Sequence, residues 1–256
     1  MADEELNVDQ IAERVVAMVL ESSVGGKETD KAGLVMGGAY LRAFRRFTAI
    51  RILVAAGAGE GAMILARSLL SIAARAGYVD QPEDPEERER RYRQYEKRHY
   101  SDRLETLEGA ATLGIVDADR VDIAEIRARL VELEDSSMLP PDRQLLELVG
   151  LYPFYRAFYR RLSDYQHFSL DVAIGELLGV EQLPLEQPEP DLAREALKVA
   201  VLSYGVLLHL SEGTLEHDLG QRTLALVQAS PDFADDTSSD DTSSVESPGR
   251  KNGPAA

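Results

Sequence analysis

Tyr152-Pro-Phe-Tyr-Arg-Ala-Phe-Tyr-Arg-Arg-Leu-Ser-Asp-Tyr-Gln-His-Phe-Ser169 places Phe154, Phe158, Leu162 and Tyr165 on one stripe when read at about 100° per residue. Arg156, Arg160, Ser163, Asp164 and His167 fall on a roughly opposite stripe. That division of faces is the mark of an amphipathic helix. Arg160 and His167 are two turns apart and point the same way on an unbroken helix. Arg161 points about a third of a turn away from His167.

The same period runs through nearly the whole chain. Asn7 is placed to cap a first helix reaching about Ser23, with Val8, Ile11, Val15 or Val16, and Val19 on its buried side. Gly25-Gly26 breaks it. A second helix is expected from about Asp30 to Ala56 and a third from about Glu60 to Tyr78, with Gly57 to Gly59 as the turn. Pro82 and Pro85 open a long charged helix to about Leu113, and Asp117 to Asp119 start another to Glu134. A short helix follows Pro140-Pro141 as far as Val149, and then the motif helix begins. Asp191 is read as the cap of the last helix, which ends near Leu210 or continues past Gly213 to Ser230. No alternating strand pattern of useful length occurs. The expected fold is one all-α domain of about seven to nine helices over residues 1–230.

Residues 231–256 have a different composition. Asp-Asp-Thr-Ser-Ser occurs twice, at 235–239 and 240–244, and apolar anchors are lacking, so a disordered acidic tail is expected. It reads as a solubilising extension or as a phosphorylatable interaction tail.

The 256-residue chain is 44% hydrophobic, enough for a sizeable core, and carries a net charge of −17. From Ser230 onward six acids against Arg250 and Lys251 account for −4 of it. Such a balance opposes non-specific binding to DNA or to acidic membranes, and neither partner is expected. The absence of cysteine excludes disulfides, thiolate metal sites and cysteine nucleophiles, and suits a cytoplasmic setting. The acidic N-terminus is unlike a secretory signal, and runs such as Ala49 to Ala58 and Val199 to Leu210 are short of a bilayer span. Phosphate-loop, serine-elbow and zinc-protease signatures are absent.

The arginine-to-histidine spacing, with six residues after Arg160 or five after Arg161, resembles the R-x4–6-H pattern of the HEPN ribonucleases. His167 can move a proton of a ribose hydroxyl, and Arg160 can brace the charged transition state at phosphorus. Ser163 or Asp164 would orient them, while Arg161, Arg156 and Arg67 would hold substrate. No cofactor or metal is then needed. The competing reading is a solvated polar face on a non-enzymatic interaction module. Ala66-Arg67-Ser68-Leu69-Leu70, then Tyr78, then Tyr159-x-x-Leu162-Ser163-x-x-x-His167-x-Ser169 together resemble domain-of-unknown-function family 5677, over roughly residues 35 to 180. The glutamate that this resemblance implies three residues after Ser68 is Ser71 here, so an acid role at that position is in doubt. HEPN-like sites form across a two-fold axis, so that resemblance implies a homodimer.

Arg67 lies among Ala62, Met63, Leu65, Leu69, Leu70 and Ile72, which predicts partial burial and a carboxylate or carbonyl partner. It serves either an ion pair, with Asp164 for example, or a phosphate beside His167. Glu96-x-x-His99 and Asp164-x-x-His167 also have the carboxylate–histidine spacing of di-iron bundles, with Glu21, Glu60 and Glu176 only loose further ligands. Glu96 is read as part of a solvated face held by ion pairs. Arg88, Arg91, Tyr92, Tyr95, Arg98 and His99 interleave bases with aromatics, as single-stranded RNA would need, yet nearby acids nearly cancel their charge. His209, Glu212 and Glu216 read as surface, and Gly37-Gly38 as a point of close helix packing.

Overall fold

Asn7 opens the first helix as a capping box: its side chain accepts from Gln10 N at 2.9 Å, and Gln10 Oε1 accepts from Asn7 N at 2.9 Å. The computed structural model describes residues 6–22, 30–115, 123–154, 156 and 190–233. Within them run α1 (Val8–Glu21), α2 (Lys31–Ala55), α3 (Gly59–Asp80), α4 (Pro85–Thr112), α5 (Ile123–Glu132) and α6 (Asp142–Leu148). The turn α7 (Tyr152–Phe154), α8 (Pro190–Leu215), α9 (Leu219–Gln228) and a 3₁₀ turn at Pro231–Phe233 complete them. The fold is all-α. Asp30 and Asp84 cap α2 and α4 by accepting from Gly33 N and Glu87 N.

α3 is the central element, packed against both α2 and α8. It presents two adjoining apolar stripes. Ala62, Ala66, Leu69 and Ala73 join the larger core with α1, α2, α8 and α9. Leu70, Ala74, Tyr78 and Val79 join a smaller core with Leu145, Leu146 and Val149 around α6. Small residues let the helices close up. A Cβ on Gly77 would meet Leu210 Cδ1 at 2.8 Å, and one on Gly220 of α9 would lie 2.2 Å from the Cα of His209. α3 is also long and apolar enough by composition to cross a bilayer, and the apolar residues responsible are largely buried in these two cores.

Several details depart from the sequence reading. The helix begun at Pro190 passes Gly213 but ends at Leu215, because Glu216 turns into the left-handed region at φ 52°. α9 is then capped from outside: Glu212 Oε1 accepts from Gln221 N at 2.7 Å. Gly37 and Gly38 mark no close packing among the described residues, since a Cβ on either would meet none of their atoms within 4 Å. Glu96 is not solvated. Its side chain is 10% exposed, and Oε1 accepts from Arg129 Nε and Nη2 at 3.0 and 2.8 Å, joining α4 to α5.

The expected ion pairs do occur on the outer face of α4. Glu87 accepts from Arg91 and Arg90, each at 2.6 Å, and these bonds hold its carboxyl down at about 2. Arg88, Arg91 and Lys97 also tie α4 to its neighbours. Arg88 pairs with Asp80, Arg91 lies over the Tyr78 ring at 4.4 Å, and Lys97 donates to the carbonyls of Glu134 and Ser136.

At the C-terminal end, Ser230 Oγ donates to Leu6 O at 2.7 Å, and Asp232 accepts from Val8 N at 2.8 Å and from Arg194 at 2.6 Å. The packed structure therefore extends to Phe233, three residues past the expected boundary. The remainder of the expected tail lies outside the described residues.

Candidate functional site

The turn Ala56–Ala58 reverses the chain, so α2 and α3 lie side by side as a helical hairpin. Their outer edges diverge into a cleft of about 630 Å³, which α4 and α6 close on the far side. Four arginines line it: Arg42 and Arg46 from α2, and Arg67 and Arg75 from α3. Helical spacing produces the convergence. Arg42 and Arg46 are one turn apart, and Gly38, one turn earlier, leaves the wall open because it carries no side chain. Arg67, Ser71 and Arg75 follow at intervals of four on the third stripe of α3, the one left free by its two cores.

Polar contacts fix this wall. Arg46 Nη1 donates to Ser68 Oγ across the α2–α3 seam. Arg75 Nε and Nη2 donate to Asp142 Oδ1 at 3.1 and 2.9 Å, while Ser71 Oγ donates to Asp142 Oδ2 at 2.9 Å. Both carboxylate oxygens are thereby engaged. Asp142 itself sits in the first turn of α6 behind Pro140-Pro141, where the helix dipole favours a negative charge. Ser71, where the resemblance implies glutamate, thus still has a carboxylate beside it, supplied from another helix.

The electrostatics are lopsided. Asp142 is the single acid among the described lining residues, against four guanidiniums. Burial first, and the Arg42 charge second, push Arg46 below its ordinary value. Tyr95 of α4 brings an aromatic ring to the opposite wall. A wall of this kind can hold an anionic, planar-ended ligand through charge-assisted hydrogen bonds and stacking.

Of the residues singled out from sequence, Arg67 is half-buried, as its neighbours imply, and lies in the cleft. Arg156 is exposed. Arg160, Arg161, Ser163, Asp164 and His167 lie outside the described residues. Arg42, Arg46, Arg75 and Asp142 were not singled out. The signal for the first two was present: like charges four apart on a helix repel, and Arg42 and Arg46 have no acid at helical spacing to offset them. Asp142 had no such signal, because it arrives from an element more than sixty residues away.

Elsewhere, Glu96 is held by Arg129 while His99 lies edge-on to Tyr100, which does not suit a shared metal. Among the described residues no three carboxylates or imidazoles gather as a metal site would require. His209 Nδ1 contacts Glu212 Oε2 at 3.0 Å at the surface, and Glu212 is occupied in capping α9.

The model of a family of unknown function, DUF5677, matches residues 33–181, more than half of the chain. That span includes every described residue lining the cleft, whereas α1, α8 and α9 lie outside it. No curated protein and no solved structure matches the chain. By its span and by the helices that carry it, the match places this chain in the family of unknown function DUF5677.

Proposed function

We propose that this protein binds single-stranded RNA through phosphate contacts in the arginine-lined cleft, and that His167 with Arg160 cleaves it without a metal ion. The observation that carries the binding half is the cleft itself. In a chain of net charge −17, four guanidiniums are held together in one cleft with a single acid among the described lining residues. Their mutual repulsion lowers the stability of the empty site, and a bound anion removes that cost. Tyr95, packed against the smaller core, also borders the cleft, where an aromatic side chain can meet a base without regard to its identity.

The cleavage half rests on the sequence: a histidine two turns from an arginine, with Ser163 and Asp164 beside them. A composite site of this type calls for a homodimer, so sedimentation at micromolar concentration is part of the test. The direct assay is cleavage of a mixed-sequence single-stranded RNA in EDTA by wild type, His167→Ala and Arg160→Ala. Loss of cleavage in both variants supports the proposal. Uncut RNA with wild type, or equal cutting by all three, removes catalysis.

A second reading is a non-enzymatic interaction module. It has one observation of its own: Leu34, Leu41 and Ile52 fall on one stripe of α2 and are 60–66% exposed, Leu34 at the edge of the cleft. Binding of the same RNA to the catalytically silenced His167→Ala chain, followed by fluorescence anisotropy, separates the two readings before catalysis is considered.

A further inference from the structure

Arg42 and Arg46 define the charge that the cleft offers to a ligand. Arg75 is engaged by Asp142, and both oxygens of that carboxylate are occupied by Arg75 and Ser71. Among the described residues no carboxylate pairs with Arg42 or Arg46. Arg46 is half-buried and anchored to Ser68, whereas Arg42 is exposed, so one cation is fixed in the wall and the other reaches over the mouth. Two adjacent monocations with no acid between them are matched by a compact dianion.

Phosphate esters differ in this respect. An internal phosphodiester carries a single negative charge. A terminal phosphomonoester carries about −1.5 to −2 near neutral pH and presents three acceptor oxygens. We infer that the cleft takes the terminal phosphomonoester of an RNA strand, presented end-on, in preference to the diesters along it. This inference rests on the RNA reading above and names its substrate class. Two further observations support it. The net charge of −17 repels each additional phosphate laid along the surface, and end-on entry brings the fewest. The cleft, at about 630 Å³, has the size of a site for one nucleotide-sized group, with Tyr95 placed to meet the first base.

The test uses one eight-nucleotide RNA made with a 5′-phosphate, with a 3′-phosphate, or with hydroxyls at both ends. Binding to the full chain is followed by fluorescence anisotropy for wild type and Arg42→Gln. Adenosine 5′-monophosphate and adenosine are titrated by calorimetry in parallel. Arg42 is exposed and makes no hydrogen bond or ion pair among the described residues, so Arg42→Gln keeps the fold, as circular dichroism and a melting curve verify.

The expected result is about tenfold tighter binding of one phosphorylated strand than of the hydroxyl strand, with most of that advantage lost in Arg42→Gln. Equal binding of all three strands overturns the end-on assignment and leaves the RNA reading standing. Binding of adenosine 5′-monophosphate but not adenosine, with no strand bound, does the reverse: the terminal phosphate is correct and RNA is not the ligand. If neither strands nor mononucleotide bind, both are overturned.

Discussion

At the bend between α8 and α9, His217 accepts from Leu219 N at Nδ1 (3.3 Å), so its proton sits on Nε2, which faces Ser211 Oγ at 3.0 Å. Ser211 in turn donates to Leu208 O at 2.9 Å, and the imidazole packs against the Tyr40 ring. Protonation of Nδ1 would remove the acceptor at the start of α9. Burial pushes the His217 pKa down, against the smaller opposing pull of Glu212 and Asp218. The unfolded chain therefore binds this proton at a higher pH than the folded chain does. The contribution is present in full above the unfolded value and is lost as pH falls below about 6.5 towards the depressed folded value. Urea midpoints measured from pH 7.5 to 5 should fall for wild type and fall less for His217→Asn. Equal slopes would show that His217 is not the responsible group.

Helix pairs raise the question of which packing contacts can be exchanged. α9 crosses α8 with Gly220 against the backbone of His209, where a Cβ would sit 2.2 Å from Cα. Backbone cannot yield as a side-chain tip can, so Gly220→Ala should destabilise the fold by about 1–3 kcal/mol or more. A melting curve unchanged within a degree would contradict that packing. Between α4 and α5, the buried Glu96 relies on Arg129. Arg129→Met should cost about 1–3 kcal/mol by leaving a charge without its donor, and Glu96→Gln in the same chain should recover part of the loss. A double-mutant cycle by chemical denaturation measures this coupling.

The elements themselves were largely legible. Asn7, Asp30 and Pro85 mark true helix starts, because capping is a local matter of one side chain and one turn of backbone. Glu96 was misread because its helix is charged on every face by composition, and only the docking of α5 decides which face is covered. The end of α8 at Leu215, between the expected ends near Leu210 and Ser230, comes with the left-handed turn at Glu216. It also comes with Glu212 capping α9 at Gln221 N while Gly220 lies against His209, contacts that periodicity does not encode.

For the molecule as a whole, the balance of charge matters more than any one contact. A chain of net charge −17 carries a cleft in which Arg42, Arg46, Arg67 and Arg75 meet a single acid among the described lining residues. Arg67 was legible as a half-buried cation on an apolar helix. Its companions were not, because they converge only after α2, α3 and α6 pack, and Asp142 lies 67 residues from Arg75 in sequence. The family match covers every described residue of this cleft, so the cleft is where function is best tested.

The most direct test is equilibrium binding of a short single-stranded RNA to wild type and to Arg42→Gln/Arg46→Gln at 50 and 200 mM salt. The account predicts binding that weakens with salt as one or two phosphate contacts require, and at least a tenfold loss in the double variant with the fold intact. Equal binding by both proteins, or none by wild type, would contradict the arginine cleft as an RNA site.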